Sequence, residues 1–137
     1  MESTSKMLPT PVQIGTMLAI RTRLTACRLA LSGDKPSDNQ PFDNHLREAI
    51  HEFIELAGAN DFVVPFDWPS WHEDALQYFE GPEMLNAASL GAIQKLITFH
   101  VRKERFCEGH LPEMVRSGHI CSILRRLSEL SSVSAEQ

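Results

Sequence analysis

Between Arg102 and Leu111 the chain reads Arg-Lys-Glu-Arg-Phe-Cys-Glu-Gly-His-Leu, and no other stretch packs arginines, a carboxylate, a thiol, a histidine and a glycine so closely. Arg102 and Arg105 are three apart, so on a helix they project from one face. Paired guanidinium groups make a fork for a carboxylate or phosphate, because each donates two hydrogen bonds in a fixed plane. The competing reading is that they complement the negative end of a helix dipole. Glu108, His110 and His100 are the acid–base candidates. With the two arginines they would supply a base and an electrostatic clamp, suited to hydrolysis or transfer on an anionic substrate. No nucleophile elbow, phosphate loop, dinucleotide fingerprint or zinc-protease motif accompanies them, so no catalytic residue is assigned.

Cys107, His110, His119 and Cys121 are four nitrogen or sulfur donors close in sequence, a spacing that invites zinc. The second pair, His-x-Cys, is not a usual ligand pair, and its two members diverge if Ile120 faces the core of a helix. No metal and no cofactor are expected. The third chemical stretch is Phe62-Val-Val-Pro-Phe-Asp-Trp-Pro-Ser-Trp71, whose prolines and large aromatics imply a rigid connector. Arg102, Arg105, Asp67, Trp68 and Trp71 are the ligand-binding candidates. The structural alternative is a lock, in which Arg102 or Arg105 meets Asp67 or Glu108 and pins the connector against a helix end.

The elements that must position these groups read as helices. Ile14, Met17, Ile20, Leu24, Cys27 and Leu31 alternate steps of three and four, predicting one helix over Pro11 to Leu31 with Cys27 as a small core residue. Ser32 to Pro41 is a polar loop. Leu46, Ala49, Ile50, Phe53 and Ala57 form the inward face of a second helix, with Asp43 as N-cap and Gly58 as its stop. His45 and His51 fall on its outer side. Phe62 to Pro65 reads as a short extended segment. Ser70 and Glu73 match a capping box for a helix running to Gly81-Pro82. Ser89 caps the helix that carries Leu90, Ile93, Leu96, Ile97, Val101 and Glu104, with His100 at the edge of the stripe. Gly109 is placed to end it in the left-handed conformation. Pro112 opens a short helix that Gly118 stops. Ile120, Ile123, Leu124, Leu127 and Leu130 line a last one, and the terminal Ser-Ser-Val-Ser-Ala-Glu-Gln has no apolar period. The expected fold is all-α, a compact single-domain bundle of five to six helices with an aromatic and proline-rich connector. Residues 10–131 form the domain, and 1–9 and 132–137 are flexible ends.

A chain of 137 residues with 42% hydrophobic and 23% charged residues can bury a core of its own. Its formal net charge of -5 argues against a nucleic-acid binder by whole-surface attraction, although a local basic patch escapes the objection. Three cysteines fit a reducing cytoplasm better than a disulfide framework. No apolar run reaches membrane-spanning length, and the first residues lack a signal peptide's pattern.

Pro65-Phe-Asp-Trp-Pro-Ser-Trp71 and Arg105-Phe-Cys-Glu-Gly-His-Leu111, followed by Gly118-His-Ile120 and Ile123-Leu-Arg-Arg-Leu127, resemble a family of small uncharacterised prokaryotic proteins known as a domain of unknown function. The resemblance runs from about Phe62 to Leu130. It implies a prokaryotic, cytosolic protein and no particular chemistry. With no catalytic motif, small size and negative charge, the sequence points to a module that binds a larger protein. Such a module would be accessory or inhibitory, acting on a bacterial defence or nucleic-acid-processing complex. One alternative is a small enzyme acting on an anionic substrate through Glu108, His110, Arg102 and Arg105. Another is a helix-turn-helix-like nucleic-acid binder over residues 109–126, whose basic side chains are Arg116, Arg125 and Arg126. An enzyme and direct nucleic-acid contact are both disfavoured.

Overall fold

In a computed structural model the chain is described over residues 8–32 and 40–136, with side chains described over 8–27 and 46–131. Among the described residues there are eight α-helices and one 3-10 turn, and no strand. The helices are α1 (Pro11–Leu18), α2 (Arg21–Ser32), α3 (Gln40–Ala59), α4 (His72–Glu80), α5 (Pro82–Asn86), α6 (Leu90–Phe106), α7 (His110–Arg116) and α8 (His119–Glu136), with the 3-10 turn at Trp68–Trp71 before α4. The all-α expectation holds, with more helices than the five or six foreseen.

One extra helix is α5, which starts at Pro82 just past the expected stop, and the other comes from a break that no proline or glycine announces. The run expected as one helix from Pro11 divides at Ala19 and Ile20, where Ala19 N–H donates to Thr16 and Ile20 N–H to Met17. These tighter bonds re-aim the chain. The three-and-four spacing survives the break, and Ile14, Met17, Ile20, Leu24 and Cys27 are all buried. Leu31, the proposed cap Asp43 and the outer-face His45 lie outside the described side chains, and residues 33–39 of the expected polar loop lie outside the described residues. Further on, α3 passes through Gly58 to Ala59, and Asn60 closes it by donating from Nδ2 to the Leu56 carbonyl at 2.8 Å.

One hydrophobic core gathers residues from Ile14 to Leu127, with Phe53 and Phe62 among its largest fully buried side chains. Both α6 and α8 contribute to it along most of their length. Ser89 caps α6 as expected, its Oγ accepting from Ala92 N–H at 3.1 Å. Ile120, Ile123, Leu124 and Leu127 of α8 are all at most 1% exposed. This helix continues to Glu136, across most of the segment expected to fray. No helix among the described residues is long and apolar enough to cross a membrane.

The connector between α3 and α4 is held by polar side chains of α6. Buried Thr98 accepts from Val64 N–H at 2.9 Å and donates towards the Phe62 and Gln94 carbonyls, each at 2.9 Å. Gln94 Nε2 donates to the Asp61 carbonyl at 2.7 Å. Instead of pairing as a strand, the connector satisfies its backbone on these two side chains. The expected capping box at Ser70 and Glu73 does not form. Ser70 donates its hydroxyl to Asp67 at 2.6 Å, Trp68–Trp71 winds as the 3-10 turn, and α4 starts at His72 without a side-chain cap.

Candidate functional site

The hub lies where α6 ends. Phe106 is its last helical residue, and Cys107 N–H closes it on the Lys103 carbonyl at 2.8 Å. Gly109 takes the left-handed conformation, φ 97°, as the cap of α7 rather than as the stop of α6. That moves the start of α7 from Pro112 to His110. Proline at the third helical position costs little, because first-turn amides have no intrahelical acceptor.

Glu104 ties the two helices together. Its Oε1 accepts from Leu111 N–H at 2.7 Å and its Oε2 from Gly109 N–H at 3.3 Å. The carboxylate thus takes the place of the missing cap on α7 and meets the positive end of that helix. The expected pairing of Arg102 or Arg105 with Asp67 or Glu108 is not found. Among the described residues no ion pair joins them, and Asp67 is engaged by Ser70. The hub is locked, but by a carboxylate on backbone amides.

Lys95, Phe99, Arg102 and Phe106 recur along α6 at steps of four, three and four, which puts them on one face. The connector's aromatics cover part of this face. Trp68 packs on Phe99 and Phe106 with ring centroids 5.8 and 5.7 Å away, and Trp71 packs on Phe66 at 5.6 Å. Lys95 Nζ sits 5.6 Å over Phe66 and 5.9 Å over Trp71, and Lys103 Nζ 5.7 Å over Phe99. Trp68 and Trp71 are half-buried, with an inner side against the core and an outer side towards solvent. Phe106, at the rim of this cluster, is 75% exposed. Among the described residues, Lys95, Arg102, Lys103 and Arg105 have no carboxylate partner.

Beneath the hub, α6, α7 and α8 each contribute one histidine to a cluster. His100 Nδ1 and His110 Nε2 are 2.9 Å apart and share a hydrogen bond, with the rings stacked at 22°. His119 meets His100 edge-on, the centroids 5.0 Å apart. His100 is 3% exposed and His119 5%, and Nε2 of each is buried without a hydrogen-bond partner. Burial, reinforced by the neighbouring imidazoles and Lys103, holds His100 well below the ordinary imidazole range. Burial, with His110 second, pushes His119 down to about 4. His110 is lowered by burial and by Lys103, against a smaller opposing pull from Glu104. All three are therefore neutral rings at pH 7.

The remaining candidates are dispersed. Glu108 and Cys107 are exposed, and no hydrogen bond joins Glu108 to His110 among the described residues. Cys121 points elsewhere, receiving the Thr25 hydroxyl at 3.9 Å. Among the described residues no group of three or more His, Cys, Asp or Glu side chains converges as a metal would require. Clefts of about 200 and 260 Å3 flank the start of α8, the first lined in part by His119, and one of about 590 Å3 lies along α3; none reaches Arg102, Arg105, Asp67 or Glu108. Sequence reasoning placed Glu104 and Phe106 in the hub but missed the bonds of Glu104 to the Gly109 and Leu111 amides and the place of Lys95 on this face, and it weighed His119 only as a metal ligand. The i, i+4, i+7, i+11 spacing of the α6 face was readable, but it was overshadowed by the apolar stripe.

No curated protein and no solved structure matches the chain. Residues 37–133, which carry the connector, the hub and the histidine cluster, match the model of a family of unknown function, DUF6508, and the chain belongs to that family.

Proposed function

We propose that this protein is a binding module that docks on a larger protein through the α6 face built from Lys95, Arg102, Phe106 and the connector tryptophans. The observation that carries this reading is Phe106, 75% exposed and tilted against Trp68, on a helix face whose cations have no carboxylate partner among the described residues. A large aromatic left at the surface is costly in water and typical of binding hot spots, where tryptophan and arginine are also enriched. The partner that fits it presents an apolar pocket rimmed by carboxylates. The chain is acidic overall, so this basic end is a local exception that would orient the approach of such a partner. On the same footing we read it as a cytoplasmic prokaryotic protein, an accessory or inhibitory subunit of a defence or nucleic-acid-processing complex.

The other two readings have less support. An acid–base enzyme needs a base facing a cleft, yet Glu104 is occupied by two amides and Glu108 stands in the open. A helix-turn-helix reading needs basic side chains of α8 free for phosphates, and both arginines there are engaged. Arg125 and Arg126 are drawn to Glu129, Asn86 and the Ala88 carbonyl.

The test is recovery of a partner from the native host by the tagged protein, by Phe106→Ala and by Arg102→Glu/Arg105→Glu, each checked for an unchanged melt. We expect a stoichiometric partner for the parent and at least about tenfold less for both variants, as loss of a hot spot implies. Equal recovery by all three would refute the reading.

A further inference from the structure

We infer that the His100–His110–His119 cluster is a proton-operated joint, which fastens α7 to the core at neutral pH and lets it swing out on acidification. The inference stands apart from the docking reading and needs no partner.

The geometry leaves the cluster no comfortable way to take up a proton. The bond between His100 Nδ1 and His110 Nε2, at 2.9 Å, needs one nitrogen to donate and the other to accept. One added proton creates an imidazolium among rings, and a second breaks the bond because both nitrogens then donate. Around the cluster, α6 supplies Phe99 edge-on to His100 at 5.3 Å, and α4 supplies Phe79 edge-on to His119 at 5.0 Å. His72, at the start of α4, lies against Phe99, one ring further out. The charges that act on the cluster are Lys103 and Glu104, both from α6. Lys103 opposes protonation. Glu104 favours it at His110, but its oxygens are committed to the Gly109 and Leu111 amides. Among the described residues, the titratable groups of α7 and α8 that act on it are His110 and His119 themselves. The depressed affinity of His100 and His119 for protons agrees with this setting.

The fold also selects which piece gives way. The seven residues of α7 lie between two glycines in the left-handed conformation, Gly109 at φ 97° and Gly118 at φ 88°. Its neighbours α6 and α8 are anchored by 17 and 18 helical residues. Two side chains of α7, Leu111 and Val115, are fully buried, each 1% exposed. His110 is the polar fastening beside them. Short and flanked by two left-handed glycines, α7 is the piece that can turn as a unit, and its release breaks the His100–His110 bond.

The experiment is hydrogen exchange of the native protein between pH 7.5 and pH 5, corrected for the intrinsic rate, with nitrogen-15 NMR of the histidine side chains. We expect protection over residues 110–116 to fall about tenfold per pH unit below the ordinary imidazole range, the signature of one proton gained on opening. The centres of α6 and α8 should change much less. His100 and His119 should stay neutral in the closed state, and His119→Phe, which keeps a ring and removes the nitrogens, should flatten the response. If that variant does not fold, the titration of the native chain still decides. Protection of α7 that ignores pH, equal loss across α6 and α8, or His100 titrating near its ordinary value would each overturn the inference. So would one equivalent of zinc that raises α7 protection and shifts the three histidines together at pH 7.5, since the cluster would then be a metal site.

Discussion

Replacing Glu104 with alanine should be the most damaging change of any charged residue at the hub. The carboxylate accepts a short, part-buried bond from Leu111 N–H at 2.7 Å and a longer, exposed one from Gly109 N–H at 3.3 Å. A bond to a charged acceptor contributes about 1.5–3 kcal/mol, and a weak exposed bond about 0.5 kcal/mol. Alanine should therefore cost about 2–3.5 kcal/mol. At about 3–4 °C per kcal/mol for a chain of this size, Tm should fall by about 6–14 °C. Glutamine keeps a neutral acceptor for Leu111 but turns an amide donor towards Gly109, so its cost should be about half. The assay is differential scanning calorimetry at pH 7, beside urea melts of Arg102→Gln, Arg105→Gln and Asp67→Asn. Those three lack an ion pair with one another or with Glu108 and should each lose under about 1 kcal/mol. The reasoning fails if Glu104→Ala melts within about 2 °C of the parent, or if an arginine variant loses more than the alanine one.

Other consequences can be checked in parallel. Thr98→Val strands the Val64 amide and the Phe62 carbonyl and should cost about 2–4 kcal/mol in urea melts, whereas Thr98→Ser should stay within about 1 kcal/mol of the parent. Stability should depend on pH through the buried imidazoles. Their folded values lie below the unfolded one, so the unfolded chain binds protons first and stability is full above about pH 6.5. It is lost as pH falls from there, and His119 alone, at about 4, would remove about 3 kcal/mol by pH 4. Chemical melts from pH 7.5 to 4.5 check the slope. Leu124→Ala opens a void at a fully buried site of α8 and should cost about 2–5 kcal/mol, read in the same melts.

What the chain reveals by itself divides along physical lines. The faces of α6 and α8 were legible because burial imposes a period: Ile93, Leu96 and Ile97, then Ile120, Ile123, Leu124 and Leu127, are all core. The Ser89 cap was also legible, whereas the box read at Ser70 and Glu73 gave way to the 3-10 turn. Breaks set by tertiary packing were not, because Ala19 and Ile20 are ordinary helix residues whose bonds shorten only in context. The site was half legible. The hub stretch stood out by composition, but its contacts did not, because an arginine–carboxylate pairing is suggested by charge alone. The contacts actually used, Glu104 on two amides and Thr98 on the connector, depend on where backbone groups are left unsatisfied. The histidine cluster needed the turns at Gly109 and Gly118 to bring three separate helices together.

The central claim is that the Phe106 face is where another protein sits. The most direct measurement is photocrosslinking in the native host, with a benzoylphenylalanine placed at Phe106, and separately at His51 on the outside of α3. The account predicts one dominant adduct from position 106, abolished by Arg102→Glu/Arg105→Glu, with an acidic patch at the crosslinked site of the partner and no such adduct from position 51. A diffuse smear from position 106, or the same adduct from both positions, would contradict it.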